Sequence, residues 1–300
     1  MTHLALFYRD EADYVRGVRA FLAPALETGE AVACAVPGRR LDLLADALDG
    51  EPVDLIDMRD LGRNPARIIP AVEQLLERGG GRLHYVGEPI WADRSAAEIR
   101  EATRHEALIN LAWPEGAPLH ALCPYDVCAL APDVLVDARR THPWVRAGAE
   151  GEAVESDAWV GPVVPHTCEE PLPPAPPGAT TIPFGPRDLA AVREAAAACA
   201  ASVGLDTDAA TGFVLAADEI ATNSVTHGGG GGEARVWAAD GAAVCEIRDS
   251  GSIADPLAGR HMPEPGALHG RGLWLAHQMC SLVEIRTGLA GTTVRLHASG

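Results

Sequence analysis

The sequence predicts an N-terminal α/β domain built on a mainly parallel sheet, followed by a C-terminal α+β domain in which helices pack on one face of a mainly antiparallel sheet. Three observations lead there. As far as about residue 145, apolar β-like runs alternate with helical patterns, which implies parallel strands joined by helical crossovers. Between Arg146 and Arg187 there is no cation, six acids fall between Glu150 and Glu170, and nine prolines crowd Gly161 to Pro186. After that stretch two helical patterns come first and paired short strands follow. The expected division is 1–149, a linker over 150–182, and 183–300, in keeping with roughly 100–200 residues per domain.

In the first part, strands are expected at Leu4 to Tyr8, Ala31 to Val36, Val53 to Ile56, Leu83 to Gly87 and Leu119 to Cys123. Helices fill Asp10 to Glu27, Arg39 to Leu48, Pro65 to Glu77 and Ser95 to Ala112 between them. The proline-rich stretch excludes helix and central strand, because proline fixes φ and withholds a backbone donor. Trp159, Val160, Val163 and Val164 interrupt it, so it reads either as a strap packed on a domain or as a flexible tether. Beyond it, helices are expected at Asp188 to Val203 and Asp208 to Thr226. Strands Ala234 to Ala239 and Ala243 to Arg248 are joined by Asp240-Gly241, a strong hairpin signal. A helix at Leu273 to Cys280 then precedes strands at Leu282 to Thr287 and Thr292 to His297.

Composition narrows the function. The 42 acidic and 24 basic residues leave a net charge of −18, which argues against a general nucleic-acid or anionic-membrane surface. Every basic residue is arginine, so Schiff-base catalysis, a P-loop and the lysine of eukaryotic-type protein kinases are excluded. The N-terminal apolar run is short and acids follow at once, so neither a signal peptide nor a spanning helix is expected and the chain should be cytoplasmic. Seven cysteines scattered from Cys34 to Cys280 read as reduced, mostly buried thiols. Cys123 and Cys128, with His120 nearby, lack the tight pair spacing of a zinc site.

Four segments of the last part could share a phosphate ligand. Glu219 and Asn223 sit one helical turn apart on one face. The carboxylate could accept a proton and the amide oxygen could hold a hard cation. Asp249-Ser250-Gly251 ends a strand with a carboxylate and a turn-permitting glycine. Gly270-Arg271-Gly272-Leu273 opens a helix where backbone donors can approach phosphate oxygens. Gly291-Thr292-Thr293-Val294 begins the final strand.

Taken in order, these segments resemble the GHKL ATP-binding fold of histidine kinases, gyrase-type ATPases and bacterial anti-sigma-factor serine kinases. Ala216 to Gly228 is similar to their N-box, and the likeness runs from about Pro183 to Leu296. The resemblance implies that ATP and Mg²⁺ are the cofactors, with Glu219 as general base, Asn223 as Mg²⁺ ligand and Asp249 as the adenine-reading carboxylate. By the same comparison Gly251 lines the adenine pocket, Gly270, Arg271 and Gly272 meet the phosphates, and Thr292 supports base recognition. Two departures stand out. Ser252-Ile253 replaces the usual second glycine, and the lid over Ala254 to Leu268 is short, which implies weak ATP affinity. The five glycines from Gly228 to Gly232 read as a flexible exit from the helix. His105-Glu106 imitates a phosphoacceptor histidine, but it lies within the α/β domain and no dimerising helical hairpin adjoins the ATP domain.

In the first part, Gly87 to Trp91, Arg104 to Asn110, Cys123 to Asp126 and Thr141 to Pro143 resemble the MEDS sensory domain, over about His3 to Val145. This implies a RecA-like sheet without nucleotide machinery. Glu88, Trp91, Glu106, Asn110, Tyr125, Asp126 and His142 form the candidate sensor pocket, with polar residues anchoring loops as the alternative. Together the two resemblances imply a signal-responsive anti-sigma-factor regulator in transcription control and stress response. It would phosphorylate a serine or threonine of an anti-sigma-factor antagonist, with a sigma factor as a further partner and room for a homodimer. A non-catalytic partner-switching protein and a small-molecule sensor with a degenerate ATP domain remain open alternatives.

Overall fold

The computed structural model describes every residue except 265–269, and its contacts divide the chain into two compact units, Met1–Cys168 and Glu169–Gly300. The first unit runs β1 (Thr2–Tyr8), α1 (Glu11–Thr28), β2 (Ala31–Val36), α2 (Arg39–Ala47), β3 (Asp54–Asp57), α3 (Met58–Leu61), a 3-10 turn at Pro65–Arg67, α4 (Ile68–Arg78) and β4 (Leu83–Gly87). It continues with α5 (Ala96–Ala112), β5 (Leu119–Asp126), α6 (Pro132–Thr141), β6 (Trp144–Ala147) and β7 (Val154–Glu155), and α7 (His166–Glu169) lies at the boundary. The sheet order is β3-β2-β4-β5-β1-β6-β7. All pairings are parallel except β6 with β7.

Local chemistry sets the ends of these elements. The Asp10 side chain caps α1 by accepting from Asp13 N, and Gly29 ends the helix in the left-handed region at φ 70°. Ser95 and Glu98 form a reciprocal capping box at the start of α5. Alternation along the central strands then sorts side chains between two cores. Leu4, Leu6 and Tyr8 join Tyr14, Val18 and Leu22 of α1. Ala5 and Phe7 join Cys123, Tyr125, Ala102 of α5 and Ala138 of α6. His3 is in phase with the second set.

The expected strand at Leu119 to Cys123 continues to Asp126 despite Pro124, because pairing with β4 stops at Leu122 and only β1 continues beside the proline. Of the elements after it, β6 and β7, with four and two residues, are too short to show a period, and the ten-residue α6 is not among the expected helices.

The second unit contains β8 (Thr180–Phe184), α8 (Leu189–Ser202), α9 (Thr207–His227), β9 (Gly232–Ala239), β10 (Ala242–Asp249), α10 (Arg271–Met279), β11 (Leu282–Gly288) and β12 (Gly291–Ala298). Its sheet has the order β11-β12-β10-β9-β8 and is antiparallel throughout. β8 pairs only with β9, and an edge strand tolerates its Pro183. The β9–β10 turn places Asp240 at φ 50° and Gly241 at φ 76°, the positive values a two-residue hairpin requires.

The three helices share one core with the sheet: Val192 and Ala196 of α8, Phe213, Ala217 and Ile220 of α9, and Ala276 of α10 pack on Ala234, Cys245, Ile247, Val294 and Leu296. Glu246, in phase with the opposite face, is fully buried. Its carboxylate accepts from Arg295 Nε at 3.0 Å and forms an ion pair with Arg248 at 2.8 Å. Arg295 also stacks 5.2 Å from the Trp237 ring centroid and donates to the carbonyl of Pro173. Arg286 donates to the carbonyl of Glu170 at 2.8 Å. Proline-rich residues thus dock on the second unit through carbonyls and buried Leu172; of the four apolar residues expected of a strap, Trp159 and Val164 are half-buried and Val160 and Val163 exposed. All seven cysteines are free thiols, and only Cys128 is exposed.

Candidate functional site

Asp206 caps α9 by accepting from Ala209 N at 2.8 Å, and the apolar side of the helix is buried against the sheet. Glu219 and Asn223 are left half-buried on its flank. The first turn of α10 meets them there. A Cβ placed on Gly272 would lie 2.7 Å from Glu219 Oε2 and 3.0 Å from Asn223 Nδ2, so a glycine is what lets this helix start approach both side chains. Gly270, just before it, adopts φ 85°.

A second group forms at the end of β10. The Ser224 hydroxyl donates to Asp249 Oδ2 at 2.6 Å, and the Gly251 amide donates to Asp249 Oδ1 at 2.8 Å. Thr292 Oγ1 donates to the carbonyl of Gly251 and contacts Thr287 Oγ1, both at 2.9 Å. The Ile253 amide donates to Thr287 Oγ1 at 2.9 Å. Gly228 cannot be a mere flexible exit from the helix, because a Cβ there would sit 2.4 Å from Asp249 Cγ.

One cavity of about 360 Å³ joins the two groups: Asn223, Asp249, Gly251, Gly270, Gly272 and Thr292 line it, with Ile220, Leu273 and Val294 as apolar walls. Glu219 reaches this place through its contact with Gly272. Arg271 is exposed and is not part of the lining. Of the expected lid, Ala254, Asp255 and Ala258 line the cavity, and residues 265–268 lie outside the described ones.

The seven candidate sensor residues separate into three places. Glu88, after β4, is buried and bonded to Tyr8 Oη at 3.3 Å and Arg40 Nε at 3.0 Å. Arg40 also donates to Asp126 Oδ2, at the end of β5, at 3.1 Å. Burial pushes the Glu88 carboxyl up to about 8, against the lowering pull of Arg40 and Tyr8. Tyr8, Arg40 and Asp126 line a small cavity of about 150 Å³, at the carboxyl ends of the strands where ligands of open α/β sheets bind. Glu106, Asn110, Tyr125 and His142 belong to a separate buried cluster with His3 and Cys123. Trp91 packs in another core cluster, under the Arg94 guanidinium at 4.5 Å. His105 is buried.

His3 and Cys123 are not among the seven candidate sensor residues, although Cys123 begins one of the MEDS-like segments. Their signal is one of phase: each is the polar member of an otherwise buried strand face, His3 with Ala5 and Phe7, Cys123 with Ala121 and Tyr125. Cys128 and His120 make no such approach, and Cys128 is exposed.

Residues 2–143 match the family described as MEDS, the MEthanogen/methylotroph, DcmR Sensory domain. Residues 182–298 match the histidine kinase-like ATPase domain. No curated protein matches the chain. Among solved structures, the RsbU and RsbW domains of a Mycobacterium tuberculosis protein match at 23% identity over 42% of this chain and 33% of that chain, with a TM-score of 0.32. The chain thus spans about a third of that structure. No described helix is long and apolar enough to cross a membrane. The two family matches coincide with the parallel-dominated and the antiparallel sheet respectively: residues 2–143 are similar to a MEDS sensory domain and residues 182–298 to a histidine kinase-like ATPase domain.

Proposed function

We propose that the chain is a cytoplasmic, signal-responsive anti-sigma-factor regulator. Its second unit would bind Mg-ATP and transfer the γ-phosphoryl group to a serine or threonine hydroxyl of an anti-sigma-factor antagonist, with a sigma factor as the alternative partner. The observation that carries this reading is that Asn223, Gly272, Asp249 and Thr292 line one cavity, with Glu219 beside Gly272.

The residues fit the group. Gly272 leaves open a space that a Cβ would fill, and the first turn of α10 offers backbone donors to phosphate oxygens. The Asn223 amide oxygen suits Mg²⁺. When bound, Mg-ATP supplies the phosphoryl group and the metal charge that offsets the phosphate oxygens. Glu219 takes the proton of the acceptor hydroxyl. Asp249, oriented by Ser224 and the Gly251 amide, keeps lone pairs free to accept from an exocyclic amine. Thr292 holds the Gly251 carbonyl and so the turn beside it.

Incubation with labelled ATP and candidate antagonists tests the reading. Phosphoserine or phosphothreonine should form and should fall about 10²- to 10⁴-fold in Glu219→Ala, the usual weight of a general base. Ser252-Ile253, in place of glycine, favours a second reading in which nucleotide occupancy switches partners without transfer. Complex formation with intact partners and no phosphate transfer would support it. A protein whose melting temperature ignores Mg-ATP would point instead to a sensor with a degenerate ATP domain, since a ligand at 100-fold its Kd stabilises by about 2.7 kcal/mol.

A further inference from the structure

Four side chains distant in sequence converge inside the first unit: His3 on β1, Glu106 on α5, Cys123 on β5, and His142 just after α6. All four are buried, and their ligating atoms lie within 4.8 Å of one another. We propose that this cluster binds one Zn²⁺ ion through Nε2 of His3 and His142, Oε2 of Glu106 and the Cys123 thiolate. The proposal is independent of the nucleotide reading.

Hydrogen bonds fix which way each imidazole faces. Asn110 Nδ2 donates to the carbonyls of Glu106, Ala107 and Thr141 at 2.9, 3.2 and 2.9 Å. Its Oδ1 is therefore the acceptor for His3 Nδ1 at 3.0 Å. His142 Nδ1 donates to the Ala138 carbonyl at 2.8 Å. With both Nδ1 atoms donating, the Nε2 atoms of the two rings face Glu106 Oε2, at 3.1 Å for His3 and 3.5 Å for His142. Cys123 Sγ lies 3.4 Å from both His3 Nε2 and Glu106 Oε2. With neutral rings, three acceptors would face one another, with the single thiol proton to share among them. His142 Nε2 and Glu106 Oε1 make no hydrogen bond.

A cation at the centre would replace these facing lone pairs by four bonds. Metal-bound histidines hold their other ring N–H against a carbonyl or carboxylate partner, the role Asn110 and Ala138 play here. Tetrahedral zinc with bonds of about 2.0–2.3 Å spaces its ligands about 3.3–3.7 Å apart; four of the six separations, 3.1, 3.4, 3.4 and 3.5 Å, lie in or just below that range, and the other two, within 4.8 Å, leave His142 to close on the ion. One carboxylate and one thiolate balance a dication, with the thiol proton released to solvent on binding. A closed set of nitrogen, oxygen and sulfur donors with no open position suits zinc in a structural role. The ion would tie both central strands to α5 and to the end of α6.

The full-length protein, stripped with a chelator, is titrated with Co²⁺ as a spectroscopic stand-in. One ion per chain is expected, with the thiolate-to-cobalt charge-transfer band and the intense visible bands of a tetrahedral site, all displaced by one equivalent of Zn²⁺. Cys123→Ser should lose the charge-transfer band, and Cys128→Ser should keep it. Because a variant in this core can fail to fold, zinc-edge X-ray absorption of the wild-type protein provides a reading that needs none: one sulfur and three lighter donors are expected. Folded wild-type protein that takes up no stoichiometric metal, a first shell without sulfur, or a charge-transfer band surviving in Cys123→Ser would each overturn the proposal.

Discussion

The Asp249 carboxylate at the end of β10 accepts a 2.6 Å hydrogen bond from the hydroxyl of Ser224, the residue after Asn223 on α9. The helix that presents Glu219 and Asn223 is therefore tied directly to a carboxylate that lines the same cavity. A hydrogen bond to a charged group contributes about 1.5–3 kcal/mol. Ser224→Ala should lower the stability of the second unit by about that much and weaken ATP binding as Asp249 loses its orientation. Denaturant titration and calorimetry of nucleotide binding check both effects.

Gly272→Ala separates binding from stability. The new methyl group would meet the flexible ends of Glu219 and Asn223 rather than backbone, and alanine favours a helix over glycine by about 1 kcal/mol. The fold should hold while Mg-ATP affinity falls at least about tenfold, or 1.4 kcal/mol, as read by isothermal titration.

Glu88 should make stability depend on pH in an unusual direction. Its carboxyl ionises at an ordinary 4.5 when unfolded and at about 8 in the fold, so the folded state holds the proton more tightly. That contribution is complete below the unfolded value and is lost as pH rises through the folded one. Denaturation midpoints of Glu88→Gln and wild type, compared from about pH 5 to pH 8, should move in favour of the variant as pH rises. A constant gap would contradict this.

Arg295→Ala leaves the fully buried Glu246 with Arg248 as its remaining cation and removes the donor to the Pro173 carbonyl. Breaking a buried pair from one side costs about 3–5 kcal/mol. The variant should unfold at lower denaturant and be cut more readily by proteases around residues 170–177, as mass spectrometry of the fragments would show.

The elements that could be read from the chain were those whose pattern is local. Ala31–Val36 and Leu83–Gly87 are continuous apolar runs, the α5 start carries its own capping box, and Asp240-Gly241 states its turn. β8 escaped because its five residues contain Pro183 and follow a proline-rich run, and β9, with which it pairs, lies some fifty residues downstream. Trp91 shows the converse: it is close in sequence to Glu88 but turns into a different core.

By itself the sequence determined the longer strands and helices of both parts, the lack of any lysine chemistry, and the spacing that sets Glu219 and Asn223 on one helix face, since a helical period and a side-chain inventory need no partner. Tertiary structure alone decided that Gly272 meets that face, that Glu88 and Glu106 occupy different sites, and that His3, Cys123 and His142 gather around one carboxylate oxygen. Such meetings depend on strand order and on which face each pleat presents. Those are properties of pairing between segments more than a hundred residues apart, and no local period records them.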